Sequence, residues 1–197
     1  MLLGLIACGT LFAQVSPTLT QAQQENVAIQ IWEEKLARDI YMLANTRYAH
    51  PVFEHKIRAE ENHRDLLNGL LPSPADIPTA YGAFTEASWN SRFLELKEQA
   101  GGSFTEALKA GALIEEQDIA GLEQGLALMT DSAAIHVYKV LIEASEQHLR
   151  SFLKQLEMQD VVYTPQVLPA ERLTAIQSGT GCGTGKGCGN NCGKGGC

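Results

Sequence analysis

A chain of 197 residues, 45% hydrophobic and 19% charged, suits one domain with a sizeable core plus extensions. Its net charge of −8 disfavours nucleic acid as a partner and favours cations. The long middle is rich in Ala, Leu, Glu, Gln and Lys and poor in strand formers, so the fold is read as all-α.

The stretch from Met1 to Ala13 is apolar, too short to span a bilayer, and followed by polar residues 14 to 24, as in an export signal. Residues 1–15 are therefore read as a leader, and the expected compartment is the periplasm or cell envelope. Ala13 before Gln14 offers one cleavage point. Leu5-Ile6-Ala7-Cys8 resembles a bacterial lipobox, and a lipid on Cys8 would be the chain's one route to a membrane. The absence of Lys or Arg from this stretch fits a start further upstream, and a buried N-terminal segment of a cytoplasmic protein is the alternative.

Thr20 with Gln23 can cap a first helix over residues 21 to 48. His50-Pro51 ends it and opens a second, to about residue 71, where Pro72-Ser73-Pro74 stops it. So short a link makes these two an antiparallel pair. A long connection, 72 to 102, carries one short helix over 88 to 99. Ser103-Phe104-Thr105-Glu106 is a capping box for a third long helix, to about Met129. Thr130 or Asp131 caps a fourth, to about Met158. Residues 20–158 thus predict a four-helix bundle of two hairpins joined by one long crossover between helices two and three. Beyond, residues 159–197 lose periodicity and end in a Gly/Cys/Lys tail expected to be disordered on its own.

Several acids and imidazoles point into this bundle. With Phe53, Ile57, Leu67 and Leu71 defining one face of helix two, Glu60 and His63 lie within about 40° of its centre. His148 shares a face with Leu141, Ser145 and Phe152 on helix four. On helix three Glu115 lies with Ile119, Leu122 and Leu126, with Asp118 at the edge. Helix one offers Glu33, nearer the stripe of Trp32, Leu36, Ile40 and Leu43, and Glu34, which shares a stripe with Tyr41. His50 falls in a turn, and His55 and His136 project away from the apolar faces. Solvated surface pairs share the Glu-x-x-His spacing, so one match means little. Four helices each bringing an inward acid or imidazole is different, because unpaired buried charges cost several kcal/mol each.

Glu33-Glu34-Lys35-Leu36-Ala37-Arg38-Asp39-Ile40-Tyr41, Glu60-x-x-His63, Gly111-Ala112-Leu113-Ile114-Glu115-Glu116-Gln117-Asp118-Ile119 and His148-Leu149-Arg150-Ser151-Phe152 span residues 25 to 157. Through them the chain resembles the ferritin-like di-iron carboxylate superfamily, and within it an uncharacterised bacterial and archaeal domain of unknown function. The resemblance implies a ferritin-like bundle holding two iron ions, or manganese. Glu34 and Glu115 would be terminal ligands, Glu60 a bridge, and His63 and His148 the nitrogen ligands. Ferritins place a Tyr seven residues after the first-helix Glu, which favours Glu34 with Tyr41 over Glu33 and makes Tyr41 a candidate redox residue. The family's fourth helix carries Glu-x-x-His, but Ser145 stands three before His148 here, and Glu143 and Glu146 are read as projecting away. Asp118 or Glu33 is left to replace the missing carboxylate, or the site is asymmetric or holds one metal.

Three functions remain open on these residues. One is an exported oxidoreductase that uses iron with O2 or peroxide. Another is a non-catalytic envelope metal-binding or delivery protein, drawing also on Cys182, Cys188, Cys192 and Cys197, which lack a Cys-x-x-Cys pair and could form disulfides. A third is a metal-free bundle in which Arg38, Arg58 or Arg64 pairs the inward acids. A storage shell is not expected, since no fifth ferritin-type helix is obvious, and a homodimer through the crossover is left open.

Overall fold

The structure, a computed structural model, describes residues 18–179. The leader with Cys8 and the four tail cysteines, Cys182, Cys188, Cys192 and Cys197, lie outside the described residues. Within them six helices and no strand are formed, so the described chain is all-helical: α1 (Gln21–Tyr48), α2 (Pro51–Asn68), α3 (Ala87–Gly102), α4 (Phe104–Leu128), α5 (Ser132–Glu157) and α6 (Ala170–Gln177).

Local chemistry sets the helix ends. The Thr20 hydroxyl accepts from the Gln23 N–H while Gln23 Oε1 accepts from the Thr20 N–H at 2.8 Å, closing a capping box. Ala49 takes the left-handed conformation (φ 47°) that turns the chain out of α1. His50 Nδ1 then accepts from the Val52 N–H at 3.2 Å, capping α2 over Pro51. Helix α2 ends at Asn68, short of the expected residue 71. There the Asn68 side chain donates to the Arg64 carbonyl and accepts from the Ala75 N–H, both at 3.0 Å, fixing a turn. Ser103 caps α4 and Asp131 caps α5 through their side-chain oxygens.

Helix α1 lies along α2 and α4, α4 lies along α5, and α2 touches α5. Helix α3 packs across α1 and α4, and α6 lies on α5. Two apolar clusters result. One gathers Leu36, Ile40, Tyr41, Phe53, Leu108, Ile114, Phe152 and Leu156. The other gathers Val27, Ile31, Leu67, Leu122, Tyr138 and Leu141. Glu34, Glu60, His63, Ser145 and His148 fall in sequence between the two clusters on α1, α2 and α5, and with Glu115 of α4 they form a polar layer between two apolar ones. Gly111 allows α4 and α5 to come close there: a Cβ at Gly111 would stand 2.6 Å from the Phe152 ring.

Two straps complete the frame. Asp39 Oδ1 accepts from Arg38, and Oδ2 from Lys35 Nζ at 2.7 Å and the Gly82 N–H at 2.9 Å. Lys35 and Arg38 also donate to the Ala80 and Thr79 carbonyls, at 2.9 and 2.6 Å. This buried cluster holds the long connection against α1 and leaves Arg38 committed to Asp39. The second strap is Glu116 on α4, fully buried, which accepts from the Tyr163 hydroxyl at 2.5 Å and the Val167 and Leu168 N–H groups at 2.9 and 2.8 Å.

That second strap corrects one expectation. Residues 159–179 do not run on without pattern: they dock on α4 and form α6, burying Leu168, Leu173 and Ile176. The same docking buries Glu146, expected to project away, because Arg172 of α6 covers it at 2.5 Å.

Candidate metal centre

Each of four helices brings one or two polar side chains to the layer between the clusters. On α2, Glu60 and His63 sit three residues apart, so one turn presents both. Glu60 Oε2 lies 2.8 Å from His63 Nδ1, and its Oε1 lies 3.0 Å from His148 Nδ1 on α5. Glu34 Oε2 on α1 approaches His63 Nδ1 at 3.2 Å, and Glu115 Oε1 on α4 approaches His148 Nδ1 at 3.3 Å. The imidazoles stack, with centroids 5.7 Å apart. The outcome is two triads, Glu34–Glu60–His63 and Glu60–Glu115–His148, each with ligand atoms within 4.8 Å of one another. Glu60 belongs to both.

These contacts do not satisfy one another. An imidazole nitrogen holds at most one proton, yet each Nδ1 here faces two carboxylates. Glu34 Oε1, Glu60 Oε1 and His148 Nδ1 are buried without any partner at hydrogen-bonding geometry, although the last two face each other. Among the described residues no Lys or Arg ion-pairs with Glu34, Glu60 or Glu115, which removes the support for a layer neutralised by Arg38, Arg58 or Arg64. Convergent, buried, incompletely matched carboxylates and imidazoles are what a bound cation would satisfy. Oxygen and imidazole donors without thiolate suit divalent transition metals. The two triads could therefore hold metal.

In the metal-free chain, protons can balance part of this buried charge. Burial raises the Glu34 carboxyl to about 8, opposed by His63 and reinforced by Glu60. Burial acts to lower the two imidazoles, but the facing carboxylates prevail, raising His63 to about 11 and His148 to about 10. Glu60 is lowered despite its burial because both imidazoles face it.

The neighbouring residues are placed as follows. Tyr41, fully buried, donates to Glu115 Oε1 at 2.6 Å and packs 5.4 Å from the Phe152 ring. Asp118 is buried one turn beyond Glu115, where the Ser145 hydroxyl donates to its Oδ2 at 2.5 Å. Glu33 is not brought to the layer: it faces α3 and accepts from Arg92 at 2.6 Å. Lys56, one turn before Glu60 on α2, is the neighbour that the sequence reading passes over. It is buried, donates to Ser151 Oγ at 2.5 Å and lies 4.7 Å over the Phe152 ring. Burial lowers its ammonium, with Glu115 and Glu60 opposing. Its i−4 spacing from Glu60 was the available signal.

The same fold is found in a crystal structure from Methanococcus jannaschii, that of the hypothetical protein MJ0754. It superposes with a TM-score of 0.78 at 29% identity, over 82% of this chain and 95% of that one. In sequence, the uncharacterized protein MJ0754 of Methanocaldococcus jannaschii is 30% identical over 165 residues, which is 81% of this chain and 89% of the relative. The family model described as an uncharacterized protein domain, DUF2202, matches residues 24–179, and the chain belongs to that family.

Proposed function

We propose that the chain is a ferritin-like protein whose four-helix bundle, α1–α2 and α4–α5 with the α3-bearing connection as its long crossover, holds a non-haem pair of iron or manganese ions. The observation that carries this reading is the sharing of Glu60 between two buried Glu–Glu–His triads. Glu34 with His63 would hold one ion, Glu115 with His148 the other, and Glu60 would join them. A bound pair of such ions supplies a two-electron couple for reducing O2 or peroxide.

The chain's own residues then have distinct tasks. Tyr41 holds Glu115 Oε1 in place and brings a phenol to the layer. His63 and His148 surrender their Nδ1 protons when metal enters. The apolar clusters on either side limit water at the layer. Export to the periplasm or envelope, suggested by the apolar start, belongs to the same proposal.

The test is oxygen consumption on adding Fe(II) to the purified chain under air. The parent is expected to consume O2 as it oxidises Fe(II), and His63→Ala/His148→Ala to fall to the buffer rate. Equal rates in parent and double variant would remove the oxidoreductase reading.

A further inference from the structure

The two halves of the polar layer match except at one place. Glu34 on α1 corresponds to Glu115 on α4, and His63 on α2 to His148 on α5. Three residues before His63 stands the shared carboxylate, Glu60. Three before His148 stands Ser145, 1% exposed, with no charge to offer.

The Ser145 hydroxyl reaches instead to Asp118 Oδ2 at 2.5 Å, and the Leu141 carbonyl oxygen lies 3.0 Å from Ser145 Oγ. Asp118 is 4% exposed, and its Oδ1 has no hydrogen-bond partner. Among the described residues no cation pairs with it. A buried carboxyl with one oxygen anchored and the other unmatched is costly unless something completes it. Asp118 stands one helical turn beyond Glu115 on α4, and besides burial its carboxyl is pushed up by the charges of Glu34 and Glu115. Glu33, the other spare acid, is already taken by Arg92.

We propose that Asp118, oriented by Ser145, is a further carboxylate ligand of the metal pair, reaching in from α4 where α5 carries only a hydroxyl. The short serine leaves room for the aspartate and fixes one of its oxygens, leaving Oδ1 for the ions. Asp118 is then a ligand and Ser145 a positioning residue. This rests on the two-ion reading above.

The experiment loads the full chain with Fe(II) under argon, desalts it, and measures iron per chain and helix content together. The parent is expected to keep two ions. Asp118→Ala and the isosteric Asp118→Asn should keep one, with parental helicity. Ser145→Ala should keep both, the second held about 10- to 100-fold more weakly in titration. Moving the carboxylate across, in Asp118→Ala/Ser145→Glu, should restore the second ion. Two ions at parental affinity in Asp118→Asn would overturn the role of Asp118 while leaving the metal centre standing. A parent that takes up no iron would overturn the metal centre itself, and this inference with it.

Discussion

The Tyr41 hydroxyl donates a 2.6 Å hydrogen bond to Glu115 Oε1, the oxygen that also faces His148 Nδ1 at 3.3 Å. It ties α1 to α4 inside the layer. In Tyr41→Phe the metal-free protein should lose about 1 to 3 kcal/mol in denaturant unfolding, the worth of a buried bond to a carboxylate. The same variant should bind metal at the Glu115 triad about 10- to 100-fold more weakly in calorimetry, while the Glu34 triad keeps its affinity.

Metal affinity should rise with pH. At neutral pH, Glu34, His63 and His148, held at about 8, 11 and 10, carry protons that a cation must displace. Binding near pH 7 should therefore release about two to three protons, seen as buffer-dependent heat. The metal-free protein should respond in the opposite sense. All three groups hold protons more tightly folded than unfolded, so their stabilisation is fully present below the ordinary values of 4.5 and 6.5. It fades as pH rises through the folded values toward 11. The rise in Tm on adding metal should accordingly widen between pH 6 and 8.

Glu116 should govern docking of the C-terminal extension. Removing a fully buried carboxylate that receives backbone N–H groups and the Tyr163 hydroxyl leaves those donors unmatched. In Glu116→Ala, proteolysis should cut within residues 161–179 well before it cuts α1, and the parent should resist at both places.

Gly111 should tolerate no side chain. In Gly111→Ala the new methyl would meet three Phe152 ring carbons at 2.6 to 2.9 Å. A cost of about 1 to 3 kcal/mol is expected, reduced when Phe152→Leu is added to the same chain. Because Phe152 packs on Tyr41 and under Lys56, the single variant should also disturb metal uptake.

Much of the helical frame was legible, because the chemistry that stops helices is local. Thr20, Pro51 and Ser103 marked their ends through caps and proline, and of the two caps offered for α5, Thr130 and Asp131, the structure uses Asp131. Choosing between Glu33 and Glu34 on α1 was harder for a physical reason. Trp32 packs on Phe84 and Trp89 of the long connection, so α1 is buried on more than one side and its apolar stripe does not identify the face turned to the polar layer. The Tyr41 spacing favoured Glu34, which the structure places beside His63, where periodicity favoured Glu33, which it places on Arg92. In the pairs Glu33-Glu34 and Glu115-Glu116 one residue faces the layer and the other a distant partner: Glu33 meets Arg92, and Glu116 meets the extension. Those partners lie 59 and about 50 residues away, beyond any local pattern. Helix α6 escaped notice because its eight residues bury only Leu173 and Ile176.

The most direct test of a pair of metal sites joined by one carboxylate is iron per chain in Glu60→Ala, beside the parent and His63→Ala, after anaerobic loading and desalting. Two ions in the parent, one in His63→Ala and none in Glu60→Ala are predicted. Undiminished iron in Glu60→Ala, or a parent that retains none, would contradict a metal centre built on Glu60.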